Sequence, residues 1–251
     1  MKKKIGKDIN VYDNVVEELE ETLDTLIEEV SKPKIYKPKV VILDIETGKC
    51  PDAIPPEFEE PKRKKDGELY ANAKTIEEQR QEWESKCALS GLTGRVLAIG
   101  FRVSRFGENP TKETLERIHS INVIDGEKEL LEWFWTWFNH YVGEGYIVAG
   151  WNIRKFDFPF LIQRSWKWNV PVYLKMDGAK NKIIDLMEEF TQTYYGMNFA
   201  SLGTALQFLA LGAKSEYSKD FEKLFFSDKV KALKHLSKDL SDTLKVAERI
   251  L

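Results

Sequence analysis

The stretch VVILDIETG, residues 40–48, places two acidic residues inside what otherwise has the composition of a buried β-strand. Side chains alternate between the faces of a strand, so Asp44 and Glu46 point to one face and Ile45 to the other. Two carboxylates held side by side repel each other, and burying them without a partner is unfavourable. The stretch therefore predicts that a cationic group or a metal ion lies over the Asp44–Glu46 pair.

The composition of the 251-residue chain is that of an ordinary globular protein, with 42% apolar residues and a net charge of −3. No apolar run approaches the roughly 18–20 residues of a membrane span, and the basic N-terminus lacks the apolar segment of a signal peptide. Cys50 and Cys87 are too few for a disulfide framework or a thiolate metal site. We therefore expect a cytoplasmic protein without a membrane partner.

Residues 11–30 have apolar residues at helical spacing and an acidic opposite face, which predicts an amphipathic helix. The two prolines of SKPKIYKPK then end it. We expect an N-terminal helical arm and linker over residues 1–38, outside a main domain that spans residues 39–251. The helix docks on a partner, self-associates or folds back on its own domain.

The main domain reads as α/β, with a mixed sheet and flanking helices. The predicted strands cover residues 40–48, 95–103, 116–124 and 146–152, and the predicted helices cover residues 126–141, 156–169, 198–212 and 229–251. We expect Ser201 to cap the third of these helices and Gly212 to end it. A charged insertion, residues 49–94, separates the first two strands and contains a predicted helix at residues 75–89.

A third acidic residue, Asp157, stands where a strand hands over to a helix in GWNIRKFDFPFL. An acidic residue among phenylalanines at such a junction is either a helix cap or a metal ligand. The residues alone leave both roles open.

The last helix adds a fourth carboxylate. At 100° per residue, Asp239 lies on the rim of the apolar stripe, and His235 lies one turn before it on the same side. Asp242 lies nearly opposite the stripe, so we expect it to face solvent. The stripe itself consists of Leu233, Leu236, Leu240, Leu244, Ala247 and Leu251.

In their order along the chain, these residues resemble the motifs of the DEDD superfamily of 3′–5′ exonucleases, and in particular stand-alone relatives of the family-B DNA polymerase proofreading domain. The Asp-x-Glu motif of that superfamily matches DIET at Asp44 and Glu46. Its Asn-x-x-x-Phe-Asp motif matches NIRKFD at Asn152, Phe156 and Asp157. The resemblance implies a ribonuclease H-like fold.

The third motif of the superfamily is matched by HLSKD, with His235 and Asp239. Here the chain combines the histidine of one subclass with the spacing of the subclass that uses tyrosine. By resemblance, His235 orients or deprotonates the attacking water, and this departure bears on that role more than on the metal ligands.

The resemblance implies two divalent cations that clamp the scissile phosphate. An all-oxygen carboxylate set suits Mg²⁺ or Mn²⁺ rather than zinc. The implied metal ligands are Asp44, Glu46, Asp157 and Asp239. Candidates for binding the substrate are Thr47, Asn152 and Phe156.

Single-stranded DNA is the substrate that the resemblance favours. Two alternatives stay open, namely an RNA-trimming exoribonuclease and a nucleic-acid-binding module with weakened catalysis. If the protein proofreads, 251 residues leave no room for a polymerase, so we expect that partner to be a separate chain. The N-terminal arm is then a natural docking element.

Overall fold

A five-stranded mixed sheet forms the centre of the fold in a computed structural model of the chain, with the strand order β3-β2-β1-β4-β5. The strands are β1 (Lys39–Lys49), β2 (Gly94–Arg105), β3 (Glu116–Ser120), β4 (Ile147–Gly150) and β5 (Ile183–Asp185). The structure describes residue 22 and residues 38–105, 116–122, 126–172, 183–192, 199–213 and 221–251. The predicted N-terminal arm, residues 1–38, lies outside these ranges except for residues 22 and 38.

Strand β1 occupies the middle of the sheet, antiparallel to β2 and parallel to β4. Its residues Val40 to Leu43 are buried, as expected for an apolar run covered on both faces. The register shifts after Glu46, so that Leu97 on β2 becomes the extra residue of a β-bulge. Because of this extra residue, the β2 residues that precede the bulge point to the faces opposite to those expected of an unbroken strand. The bulge therefore changes which side chains of β2 lie near the site.

Helices cover both faces of the sheet. On one face, helix α2 (Glu127–Gly143) packs on β2, where the Phe101 ring stacks on Phe134 with centroids 5.8 Å apart. On the other face lies α7 (Lys229–Ile250), and its Leu240 fills the space where a Cβ of Gly100 would stand. Phe101 and Gly100 are neighbours on one strand, so α2 and α7 sandwich the sheet.

The remaining helices are α1 (Ile76–Cys87), α3 (Asp157–Lys167), α4 (Leu186–Thr191), α5 (Leu202–Phe208) and α6 (Phe221–Ser227). Thr75 and Glu78 form a capping box at the start of α1, inside the 49–94 insertion. None of the helices in the described part of the chain is long and apolar enough to cross a membrane.

The prediction of an α/β fold on a mixed sheet is confirmed, and Cys50 and Cys87 are both free. Ser201 caps α5 as predicted, since its hydroxyl accepts the Thr204 N–H. The prediction that Gly212 ends this helix was wrong. The helix ends at Phe208 because Ala210 adopts the left-handed conformation (φ 55°) and reverses the chain.

One boundary and three short elements differ from the sequence prediction. Strand β3 ends at Ser120, not at residue 124, and the short elements β5 and α4 were not predicted. Helix α6 was also missed. A three-residue strand and helices of six or seven residues are too short for hydrophobic periodicity to reveal.

Candidate active site

The first two predicted metal ligands lie on the same face of β1, as the alternation predicted. Asp44 pairs with Gly100 on β2, and Glu46 pairs with Ala98. Residues directly opposite in an antiparallel pair share a face, and Gly100 faces Leu240 of α7. Asp44 and Glu46 therefore point toward α7, and both are half-buried.

Helix α7 brings His235 and Asp239 to these acids. One ligand atom from each of Glu46, His235 and Asp239 lies within 4.8 Å of the others. The Nε2 atom of His235 is 3.6 Å from Oδ2 of Asp239, one helical turn away. Both α7 residues are buried, so three potential metal ligands meet at the sheet–helix boundary.

Asp157 joins the site from the start of α3. Its Oδ1 accepts the backbone N–H of Ile45 at 3.1 Å, and Ile45 stands between Asp44 and Glu46 on β1. The N-cap of α3 is Phe156, which makes no side-chain cap bond. Between the two roles that the sequence left open, the side chain is thus turned toward the carboxylates of β1 and does not cap its helix.

The surroundings of Asp157 shift the pKa of its carboxyl group. Burial raises the pKa of Asp157 well above its usual value, and the carboxylate of Asp44 raises it further. The Ile45 N–H opposes the shift, whereas Asp185 adds to it. Removing a carboxyl from water and placing it beside another carboxylate both disfavour the charged form, which a cation would restore.

Comparison with known proteins agrees with this arrangement. The family model of the DNA polymerase family B exonuclease domain matches residues 2–201. The chain belongs to this family. The match ends at residue 201 and does not include α7. The evidence that His235 and Asp239 belong to the site is therefore their position in the structure of this chain.

The chain is also similar in fold to part of a solved structure, the family B DNA polymerase from the hyperthermophilic archaeon Pyrobaculum calidifontis. The TM-score is 0.53 at 14% sequence identity, and the alignment covers 85% of this chain. The same alignment covers 24% of the polymerase. The fold expected from the resemblance, a ribonuclease H-like exonuclease domain, is therefore confirmed. No curated protein matches the chain.

In this family B exonuclease domain, the turn after β4 is held by a residue that the sequence analysis missed. Asp185, at the end of β5, accepts the backbone N–H of Asn152 with Oδ1 and that of Arg154 with Oδ2, each at 3.0 Å. Asp185 also caps α4 through the Met187 N–H. The signal was an acidic residue after two isoleucines in KIIDLM, but the strand was too short to recognise.

Asn152 itself adopts the left-handed conformation (φ 60°) between β4 and α3. Its N–H is bound by Asp185, and its buried Oδ1 has no hydrogen-bond partner among the residues that the structure describes. Asparagine tolerates this conformation better than most residues. The prediction that Asn152 binds substrate stays a prediction.

The other two predicted substrate-binding residues have structural contacts. The Thr47 hydroxyl donates to the carbonyl of Ala88 at 2.6 Å and ties the end of the insertion to β1. The Phe156 ring lies 5.7 Å from that of Phe160 and packs against the core. Their roles in binding substrate also stay predictions.

The expectation that Asp242 faces solvent was wrong. Asp242 is buried, and the ammonium groups of Lys238 and Lys245 hold its two oxygens at 2.5 and 2.8 Å. One turn further on, Val246 packs with Leu202 of α5, so α7 is covered on a second side. Burial raises the pKa of Asp242, but the two lysines outweigh it and the pKa is lowered. Asp242 does not belong to the Glu46–His235–Asp239 cluster.

Proposed function

We propose that this chain is a metal-dependent 3′–5′ exonuclease that removes nucleoside 5′-monophosphates from the 3′ end of single-stranded DNA. The observation that carries the proposal is the approach of Glu46, His235 and Asp239 to within 4.8 Å. Asp157 supports it, because this acid is fixed to the backbone between Asp44 and Glu46. Family membership supports the class of reaction.

The carboxylates fit divalent cations. Asp44, Glu46, Asp157 and Asp239 offer hard oxygen ligands, which Mg²⁺ and Mn²⁺ prefer. The raised pKa of Asp157, caused by burial and by Asp44, is the electrostatic state expected of a site built to hold positive charge. When bound, two such cations lower the pKa of the attacking water and stabilise the departing 3′ oxygen.

His235 is the proposed general base. The imidazole takes a proton from the attacking water, and the carboxylate of Asp239, whose Oδ2 lies 3.6 Å from Nε2 of His235, stabilises the imidazolium that forms. The imidazole belongs to the same cluster as the acidic residues, which supports this role. The Phe221 ring also lies beside the imidazole, with the two ring centroids 6.4 Å apart.

The reaction is hydrolysis of the last phosphodiester. The water oxygen forms a bond to phosphorus, and the bond from phosphorus to the 3′ oxygen of the preceding nucleotide breaks. The departing oxygen gains a proton and becomes the new 3′ hydroxyl of the strand. The released product carries the phosphate on its 5′ carbon.

A gel assay tests the proposal. Single-stranded DNA and RNA of the same sequence, labelled at the 5′ end, are incubated with Mn²⁺, Mg²⁺ or EDTA. We expect a metal-dependent ladder that shortens from the 3′ end on DNA and is absent with Asp44→Ala. A ladder on RNA alone would replace DNA by RNA as the substrate, and no ladder on either would favour the weakened binding module.

Helix α7 offers a matched pair of control variants for this assay. Asp239→Asn and Asp242→Asn remove the same charge from two buried positions of one helix, but only Asp239 lies in the cluster. We expect Asp239→Asn to abolish the ladder and Asp242→Asn to retain it. Equal loss in both would trace the effect to the stability of α7.

The proposed partner is a DNA polymerase, docked through the N-terminal arm. The support is the amphipathic pattern of residues 11–30 together with family membership. Deletion of residues 1–36 should abolish co-purification of a polymerase while nuclease activity stays. Unchanged co-purification would exclude the arm as the docking element.

A further inference from the structure

A small cradle for an anion lies beside the acidic cluster, on the same face of the sheet. Gly48 follows Glu46 by two residues on β1 and pairs with Arg95 on β2. The bulge at Leu97 turns Arg95 toward the α6–α7 side, where it meets Glu222 and Phe226 of α6. Gly48, the backbone N–H of Lys49 and the Arg95 guanidinium form this cradle.

A carboxylate of the chain itself occupies the cradle. Oε2 of Glu222 accepts the Lys49 N–H at 3.0 Å, and Oε1 lies 3.8 Å from Nη2 of Arg95. A Cβ on residue 48 would stand 2.8 Å from the Glu222 carboxylate. Glycine at position 48 therefore leaves the room that an anion needs to approach β1.

The Glu222 carboxylate leaves much of the hydrogen-bonding capacity of Arg95 unused. Arg95 is 5% exposed, yet neither its Nε nor its Nη1 has a hydrogen-bond partner within the described part of the chain. A guanidinium has five donors in a fork that matches carboxylate and phosphate oxygens, so leaving the three buried N–H donors of Nε and Nη1 without acceptors is unfavourable. The cradle holds more donor capacity than its occupant uses.

We propose that the Gly48–Lys49–Arg95 cradle binds a phosphate of the nucleic-acid strand and that the Glu222 carboxylate occupies the cradle when no strand is bound. A phosphodiester presents two non-bridging oxygens in a tetrahedral arrangement, and in the place of the Glu222 carboxylate these oxygens engage the guanidinium of Arg95 and the Lys49 N–H together. The Glu222 side chain is 36% exposed, so it leaves toward solvent without disturbing the core. This inference deepens the proposed nuclease function and rests on it for the identity of the ligand.

Oligonucleotide binding without metal tests the cradle separately from catalysis. Binding of fluorescein-labelled single-stranded DNA is followed by anisotropy in EDTA at several KCl concentrations, so no cleavage occurs. The variants are Arg95→Gln and Glu222→Gln, and Arg102→Gln is the matched control. Arg102 also lies on β2 and is half-buried, but it pairs with Glu116 at 2.7 Å, away from the cradle.

We expect Arg95→Gln to weaken binding about tenfold at moderate salt and to make the log–log salt slope shallower by about 0.7. Glu222→Gln should tighten binding severalfold because the competing charge is removed. Arg102→Gln should change neither quantity. If Arg95→Gln does not unfold cooperatively, Arg95→Lys replaces it, with weaker binding expected at an unchanged slope.

Two results would overturn the cradle. The first is an Arg95 variant that binds like Arg102→Gln, and the second is a Glu222→Gln variant that binds more weakly than wild type. If the Arg95 variant loses affinity for a free nucleoside 5′-monophosphate but binds the oligonucleotide like wild type, the cradle binds the reaction product. That result would refute the proposal that it binds a phosphate of the strand. Binding that follows these expectations without metal-dependent cleavage would refute the nuclease proposal alone.

Discussion

The backbone N–H of Ile45 donates a hydrogen bond to Oδ1 of Asp157 across 3.1 Å, although 112 residues separate the two in sequence. The bond fixes the start of α3 to the centre of β1, between the two acidic residues that opened the sequence analysis. Asp157 therefore serves the fold as a hydrogen-bond acceptor while its charge is disfavoured there.

Asp157→Asn separates these two contributions. The amide oxygen still accepts the Ile45 N–H, whereas the charge that repels Asp44 is gone. We expect no detectable cleavage and a metal-free protein that is more stable than wild type, because burial and Asp44 disfavour the charged carboxylate that the amide replaces. Urea unfolding in EDTA at pH 7 measures this. Asp157→Ala should also fold, and strong destabilisation of both variants would make Asp157 a structural residue only.

The stability of the metal-free protein should fall as the pH rises. Burial and Asp44 raise the pKa of Asp157 in the folded state, so the native protein holds this proton more tightly than the unfolded chain. The associated stability is complete below the unfolded pKa of about 3.9 and is lost as the pH passes the folded pKa. The free energy of unfolding is measured in EDTA across this pH range for wild type and for Asp157→Asn, and the difference between the two isolates the contribution of Asp157. A difference that does not change with pH would contradict the prediction.

Divalent cations should stabilise the wild type. A ligand at one hundred times its dissociation constant adds about 2.7 kcal/mol to the free energy of unfolding. We expect Mn²⁺ to raise the melting temperature of wild type and of Asp242→Asn, and to have little effect on Asp44→Asn. A shift of the same size in all three would indicate binding outside the cluster.

His235→Ala should lower the rate by about 10²–10⁴-fold if the imidazole is the general base. The pH–rate profile of His235→Ala should then lack the step that the ionisation of the histidine produces in the wild-type profile. His140, exposed on α2, supplies the control His140→Ala with wild-type rate expected. His235→Tyr should keep part of the activity, because tyrosine occurs at this spacing in the related subclass. Wild-type turnover in His235→Ala would remove the residue from the mechanism.

A buried ion pair outside the Glu46–His235–Asp239 cluster supplies a prediction about stability. Arg164, fully buried on α3, donates to Glu127 on α2 through Nε at 2.8 Å and Nη2 at 2.6 Å. Glu127 also accepts the Val96 N–H and the Trp168 indole N–H. Glu127→Gln should cost about 3–5 kcal/mol in unfolding free energy because it removes the counter-charge of the buried Arg164 guanidinium.

Activity per folded molecule should survive Glu127→Gln at low temperature. The exposed pair Lys64–Glu68 is the contrast, since Lys64→Ala should cost about 1 kcal/mol or less. A small effect in Glu127→Gln would mean that water or a rearranged side chain replaces the lost charge.

Periodicity predicted the parts of the site that depend on one element. The alternation along β1 placed Asp44 and Glu46 on one face, and the helical wheel placed Asp239 beside the core with His235 one turn away. Both predictions need only the geometry of a strand or a helix. The boundaries of the long, strongly periodic elements agreed with the structure for the same reason.

Packing between elements was beyond the sequence. Asp242 was misplaced because nothing in α7 itself reveals that α5 covers its second side. Asp185 was missed because its role is to bind backbone N–H groups more than thirty residues earlier. The Arg95 cradle depends on a bulge at Leu97, and the pattern of apolar residues in β2 gave no sign of it.

The most direct test of the central claim is to identify the product released from the 3′ end. A single-stranded DNA with a radiolabelled 3′-terminal nucleotide is incubated with Mn²⁺ and wild type, Asp44→Asn or Asp242→Asn, and the products are separated by chromatography. We predict a labelled nucleoside 5′-monophosphate with wild type and Asp242→Asn, and none with Asp44→Asn or EDTA. Label that stays on the strand with wild type, or equal release by Asp44→Asn, would contradict a nuclease site built on these carboxylates.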